Sequence, residues 1–192
     1  QFRSVPVIPE NAQFIIVSRA GAAEQVPAER VWLPWNNEEN WYADPPQGLT
    51  ITDAGNIYVA FDKNRLLKTR DGGRSWEALP ATRQALGVCR DGTLINVDRE
   101  RDGESLSVYR SADEGESWVL AGVLGRKDSY CETVTELRDG TLVTVLPADP
   151  NRCHRSTDGG KTWSPGFPVC PGGEAHITEL QSGRLLCVAR YR

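Results

Sequence analysis

Ser156-Thr157-Asp158-Gly159-Gly160-Lys161-Thr162-Trp163 is the stretch that decides how the rest of the chain is read. The same octad occurs twice before it, as Thr69-Arg70-Asp71-Gly72-Gly73-Arg74-Ser75-Trp76 and Ser111-Ala112-Asp113-Glu114-Gly115-Glu116-Ser117-Trp118. The three Asp residues lie 42 and 45 residues apart, and each copy stands between two apolar, strand-like runs. A fixed period of that length marks one supersecondary unit repeated along the chain, of blade size. The octad itself reads as structural. An Asp in a tight turn accepts hydrogen bonds from backbone N–H groups two or three residues on, the Gly takes a positive φ, and the Trp covers the hairpin's apolar side. Each copy has too few carboxylates at alternate positions for a calcium cage, so no metal is expected.

A second pattern runs in phase with the first: an apolar alternation, a Gly turn and another alternation. Its copies span 48–62, 85–98, 133–146 and 175–190. From Gly55, Gly92 and Gly140 to the next octad Asp is 16, 21 and 18 residues, so each hairpin leads into one octad. On this spacing the octad belonging to Gly183 falls at about residue 200, so the sequence is expected to stop inside a repeat. The first 45 residues read as a degenerate copy, with apolar runs at Val5–Ile8, Phe14–Ser18 and Val31–Leu33 and with Trp41 keeping the octad Trp. The expectation is one all-β domain over residues 1–192, truncated at its C-terminus. It would be a propeller of four-stranded antiparallel blades, about four and a half of them.

Composition narrows the functional classes. The chain has 192 residues with 22 Lys plus Arg against 26 Asp plus Glu, a formal charge of −4. That mild acidity gives no broad electrostatic reason to hold nucleic acid, although a local Arg cluster could hold a small anion. No apolar run is long enough for a membrane-spanning helix. The chain does not begin with Met, which fits a mature secreted protein, a recombinant fragment or a proteolytic piece. The five cysteines, Cys89, Cys131, Cys153, Cys170 and Cys187, show no metal-site spacing. Cys153 and Cys170 flank one hairpin, and two readings stand for them: a disulfide in an oxidising compartment, or buried thiols on strands. His154 and His176 have no partner at metal spacing and read as strand or loop histidines. Trp32, Trp35, Trp41 and Tyr42 read as cover for the degenerate first blade rather than a sugar-stacking platform.

The octads resemble the Asp-box, or BNR, repeats of the sialidase superfamily, and the resemblance covers nearly the whole chain. It implies a β-propeller, six-bladed when complete, in which the box joins the third and fourth strands of a blade. It also implies a retaining glycoside hydrolase for terminal sialic acid or a related acidic sugar, without metal or organic cofactor, from a secreted or periplasmic location. In that family three arginines grip the substrate carboxylate, a task suited to planar, paired donors. Phe2-Arg3-Ser4-Val5-Pro6 resembles the family's N-terminal signature with one residue added, which nominates Arg3. Arg19, after Phe14–Ser18, resembles the further Arg at that point, and Glu24 stands where the family has an Asp acid/base.

Glu174 and Arg190 resemble the stretch in which a Glu opens a blade's first strand and an Arg closes its second. An innermost strand and its antiparallel neighbour bring those two ends to one rim. The resemblance makes Glu174 the base behind a Tyr nucleophile and Arg190 a carboxylate ligand. Glu132 competes for the role of Glu174 but has no Arg at the end of its hairpin, and Tyr191 is not at the family's nucleophile position. Two other functions fit the same repeats. One is a non-catalytic Asp-box propeller that binds a glycan or a protein. The other is a partial propeller completed by another chain or another copy.

Overall fold

The computed structural model describes residues 13–17, 23–27, 46–61, 66–79, 82–99, 105–125, 130–131 and 133–190. They fall into two compact units, Gln1–Trp35 and Asn36–Arg192. In the first, β1 (Gln13–Val17) and β2 (Ala23–Pro27) form an antiparallel hairpin. The predicted strand at Phe14–Ser18 is thus β1. The segment after it forms a second strand, and Glu24 lies on β2 opposite Ile16. The expected runs at 5–8 and 31–33, the aromatic group at 32–42, Arg3, Arg19, Glu132 and Tyr191 lie outside the described residues.

The second unit holds three four-stranded antiparallel sheets and a two-stranded one, each in sequential strand order. Blade 1 is β3 (Pro46–Ile51), β4 (Ile57–Phe61), β5 (Leu66–Thr69) and β6 (Glu77–Leu79). Blade 2 is β7 (Gly87–Val88), β8 (Leu94–Arg99), β9 (Leu106–Ser111) and β10 (Val119–Val123). Blade 3 is β11 (Val134–Glu136), β12 (Leu142–Leu146), β13 (Asn151–Ser156) and β14 (Phe167–Cys170). The hairpin of β15 (Gly173–Glu179) and β16 (Leu185–Arg190) begins a fourth. Every octad joins a third strand to a fourth, as expected.

Consecutive blades pack face to face, and the alternation along each strand decides which neighbour a side chain meets. Leu94 on β8 packs with Tyr58, Ala60 and Leu66 of blade 1, while Ile95 and Val97 pack with Val134, Leu142 and Leu146 of blade 3. On β12, Val143 and Val145 face the other way, toward Ala175 and Ile177 of β15. Because β12 is covered on both faces, Leu142–Leu146 is buried throughout, including Thr144, whose hydroxyl is satisfied by Thr133 O. Burying each such Val or Leu stabilises the fold by about 1.5–3 kcal/mol, so the inter-blade seams carry the core.

The first strands stand side by side. Val134 N–H donates to Leu86 O (2.8 Å), and Thr135 Oγ1 donates to Ile177 O (2.9 Å). A methyl group on Gly87 would meet Val134 O at 2.4 Å, so this backbone approach admits only glycine. Residues of β3, β7, β11 and β15 together line one open cavity of about 390 Å³. First strands gathered around a common channel, with later strands running outward, are the arrangement of a propeller.

Candidate functional site

The octads are built from hydroxyl and carboxylate together. In the first, Thr69 Oγ1 donates to Asp71 Oδ1 (2.8 Å) and accepts from Gly73 N (2.9 Å). Asp71 in turn accepts the N–H (2.9 Å) and hydroxyl (2.6 Å) of Ser75, and Trp76 Nε1 donates to Gly73 O (3.1 Å). Asp113 and Asp158 repeat the pattern with Ser111, Ser117 and Trp118, and with Ser156, Thr162 and Trp163. The Asp reaches four residues on, and in the third octad also three, where Lys161 N–H donates to Asp158 Oδ1 (3.0 Å); the leading Thr or Ser is a second hub to which the sequence pattern alone assigns no role. Hydroxyl bonds from Ser117 and Thr162, then backbone bonds, hold Asp113 and Asp158 down at about 2; Asp71 is lowered by the same causes. The Trp differs from expectation too. Trp118 and Trp163 pack into the seam with the preceding blade.

One octad departs from the pattern. Gly72 and Gly159 take φ of 73°, but the second octad places Glu114 there at φ 61°. A side chain in that region is strained. What it gains is reach: the Glu114 carboxylate pairs with Lys68 of blade 1, which is 5% exposed, and accepts from Tyr58 Oη (3.4 Å). Burial works against the Lys68 ammonium, but its bonds to Glu114 and Tyr58 outweigh that and raise its pKa. The corresponding cation of blade 2, Arg110, donates instead to Gly159 O of the third octad (2.8 Å).

The hairpin-turn rim carries a second repeated device, one not foreseen from the sequence. Arg90 donates its backbone N–H to Glu136 Oε2 (2.7 Å) and its guanidinium to Arg138 O (2.9 Å). One blade further on, Arg138 N–H donates to Glu179 Oε2 (2.8 Å), and its guanidinium donates to the carbonyls of Leu180 and Gln181. The signal was present in the recurring Arg-Asp-Gly turns at 90–92 and 138–140 and in the Glu two residues before Arg138. Nothing local reveals that the Arg of one turn grips the Glu of the next blade.

At the opposite end of β15 the predicted pair is formed. Arg190 Nη2 lies 3.0 Å from Glu174 Oε1, with the side chains 59% and 38% exposed. The register explains the meeting: Gly173 faces Arg190, and a bulge before Ala175 brings Glu174 to the same rim. Neither residue lines the channel, whose wall on this strand is His176, Ile177 and Thr178. His154 is a buried strand residue with Nδ1 3.0 Å from Ser164 O. No cluster of metal-ligating side chains occurs among the described residues.

Of the two readings for Cys153 and Cys170, the structure has the thiols. A register shift between Asn151 and Arg152 sets Cys170 opposite Asn151, and Cys153 opposite Phe167. The Cys170 sulfur instead lies 3.7 Å from that of Cys187.

The sequence family described as BNR/Asp-box repeat matches residues 154–165. A search among curated proteins gave no match. Among solved structures, the Penicillium chrysogenum α-L-arabinanase complexed with arabinobiose is 13% identical, with 72% of this chain and 55% of that one covered and a TM-score of 0.46. The GH93 α-L-arabinofuranosidase of Fusarium graminearum is 15% identical, covering 67% and 50%, with a TM-score of 0.41. The intramolecular trans-sialidase from Ruminococcus gnavus is 21% identical, covering 62% and 28%, with a TM-score of 0.37. The chain thus spans about half the length of the first two and less than a third of the last. Four-stranded antiparallel blades, octads joining third strands to fourth, and first strands around one channel define its class. It is a chain of β-propeller blades joined through Asp-box octads, the third of which the BNR/Asp-box repeat family matches.

Proposed function

We propose that this chain supplies part of the site of a sialidase-like glycoside hydrolase that acts, with retention, on terminal sialic acid or a related acidic sugar. The observation that carries the reading is the exposed Glu174–Arg190 pair at the rim where β15 begins and β16 ends. Arg190 would give up its contact with Glu174 to grip the substrate carboxylate through two parallel N–H bonds. Glu174, released, would accept the hydroxyl proton of a tyrosine nucleophile as that oxygen attacks the anomeric carbon. Arg3 and Arg19 are further candidates for the carboxylate, and Glu24 for the acid that protonates the leaving oxygen. The proposed setting is secreted or periplasmic, and the chemistry needs neither metal nor cofactor. Hydrolysis of a fluorogenic sialoside, compared with an arabinofuranoside, tests the reading. An acidic-sugar site cleaves the sialoside and loses at least about 100-fold on Arg190→Ala. Cleavage of the neutral sugar with no effect of that substitution contradicts it.

A second reading, a propeller completed by another chain or copy, is favoured by one comparison. Leu186 and Val188 occupy the positions on β16 that Val143 and Val145 occupy on β12, yet they are 46% and 62% exposed where the latter are buried. A blade laid on that face would cover them. Native mass measurement tests it: a stable oligomer that Val188→Asp dissociates supports it, and a monomer at high concentration opposes it.

A further inference from the structure

We propose that Cys170 and Cys187 form a disulfide in an oxidising environment, stapling the last strand of blade 3 to the hairpin of the next. Their sulfurs are 3.7 Å apart in the thiol form, across two different sheets. A disulfide bond is about 2.05 Å long, so closure needs side-chain rotation and a small approach of β14 to β16.

The position of Cys187 explains why the two meet. Counted from the hairpin glycine, it corresponds to Asn96 of blade 2 and Thr144 of blade 3. Those side chains reach back to the segment leading into their own blade, Asn96 to Gln84 O (2.9 Å) and Thr144 to Thr133 O (2.7 Å). Cys187 points the same way, and the segment it meets carries Cys170. Two other described thiols, Cys153 and Cys89, are less suited. Cys153 is wholly buried and Cys89 nearly so. Cys170 and Cys187 are each only partly buried, so a small oxidant can reach them. Asn151, fixed by a bond from Nδ2 to Gly173 O (3.3 Å), places that same amide 3.7 Å from the Cys170 sulfur, which accepts from it.

The reaction is thiol–disulfide exchange with a small disulfide such as oxidised glutathione. The Cys170 thiolate attacks one glutathione sulfur, forming a mixed disulfide and releasing one glutathione thiolate. The Cys187 thiolate then attacks the Cys170 sulfur and displaces the second. Two electrons and the two cysteine protons end on two molecules of glutathione, which balances the step.

The test incubates the purified chain with oxidised glutathione, followed by non-reducing digestion and mass spectrometry. Trypsin cuts after Arg184, separating the two cysteines, so a cross-linked peptide pair is unambiguous. The expected result is a Cys170–Cys187 cross-link, three remaining thiols, and a melting midpoint about 5–10 °C above that of the reduced chain. Cys187→Ser should remove both the cross-link and the shift. Five intact thiols, stable glutathione adducts without a cross-link, or a cross-link through Cys153 would overturn the proposal.

Discussion

Strand β15 begins and ends in a glutamate paired with an arginine, and the two pairs are not alike. Glu179, at the turn end, is 16% exposed and accepts the backbone N–H of Arg138, whose guanidinium is spent on two carbonyls of the neighbouring turn. Glu174, at the other end, is 38% exposed, and the bond from Arg190 is its described ion pair. The first pair is woven into backbone and repeats between blades 2 and 3 as Arg90–Glu136. The second is open to solvent and is not repeated in the described blades. An ion pair exposed to water contributes little to stability, so one held at a rim is free to exchange its partner for a ligand. The difference separates scaffold from proposed site on a single strand.

Substitutions at the two rims and in the octads put that contrast to the test. Glu179→Ala leaves the Arg138 N–H without its acceptor, and chemical denaturation should show a loss of about 1–3 kcal/mol. If the turn rim were as dispensable as the open rim, no loss would appear. Glu114→Gly relieves the positive φ but strands the buried Lys68 ammonium, so a net loss of about 1–2 kcal/mol is expected. Combining it with Lys68→Met should recover most of that loss, which a double-mutant cycle measures. Ser156→Ala removes the acceptor of the Gly160 N–H inside a folded turn and should cost about 1 kcal/mol. The smallest effect is expected at the open rim, where Glu174→Gln should change stability by less than about 0.5 kcal/mol.

Acid should act on the scaffold through the octads. Asp113 and Asp158 titrate at about 2 in the folded chain against an ordinary value of 3.8. A depressed folded value favours the native state at pH above the ordinary value, and that contribution is lost as pH falls through the folded one. The melting midpoint should therefore drop between about pH 4 and pH 2, and less steeply in Asp113→Asn.

The octads were legible in the sequence because their chemistry is local: hydroxyl, carboxylate, glycine and indole meet within eight residues. The Glu174–Arg190 pair was legible because one hairpin brings its ends together. The Arg–Glu clamps were not, since their partners lie 46 and 41 residues apart and meet only once blades are stacked. For Cys153 and Cys170 the sequence left disulfide and thiols both open, because it does not show the register that sets Cys153 opposite Phe167, three residues along β14 from Cys170.

The most direct test of the open rim is calorimetric titration of the chain with N-acetylneuraminate, for the native sequence and for Arg190→Ala, alongside melting midpoints for both. The account expects binding that weakens at least about tenfold in the variant while the midpoint stays unchanged. Equal binding by both proteins, or a variant that binds normally but melts earlier, would make Arg190 part of the scaffold and contradict the account.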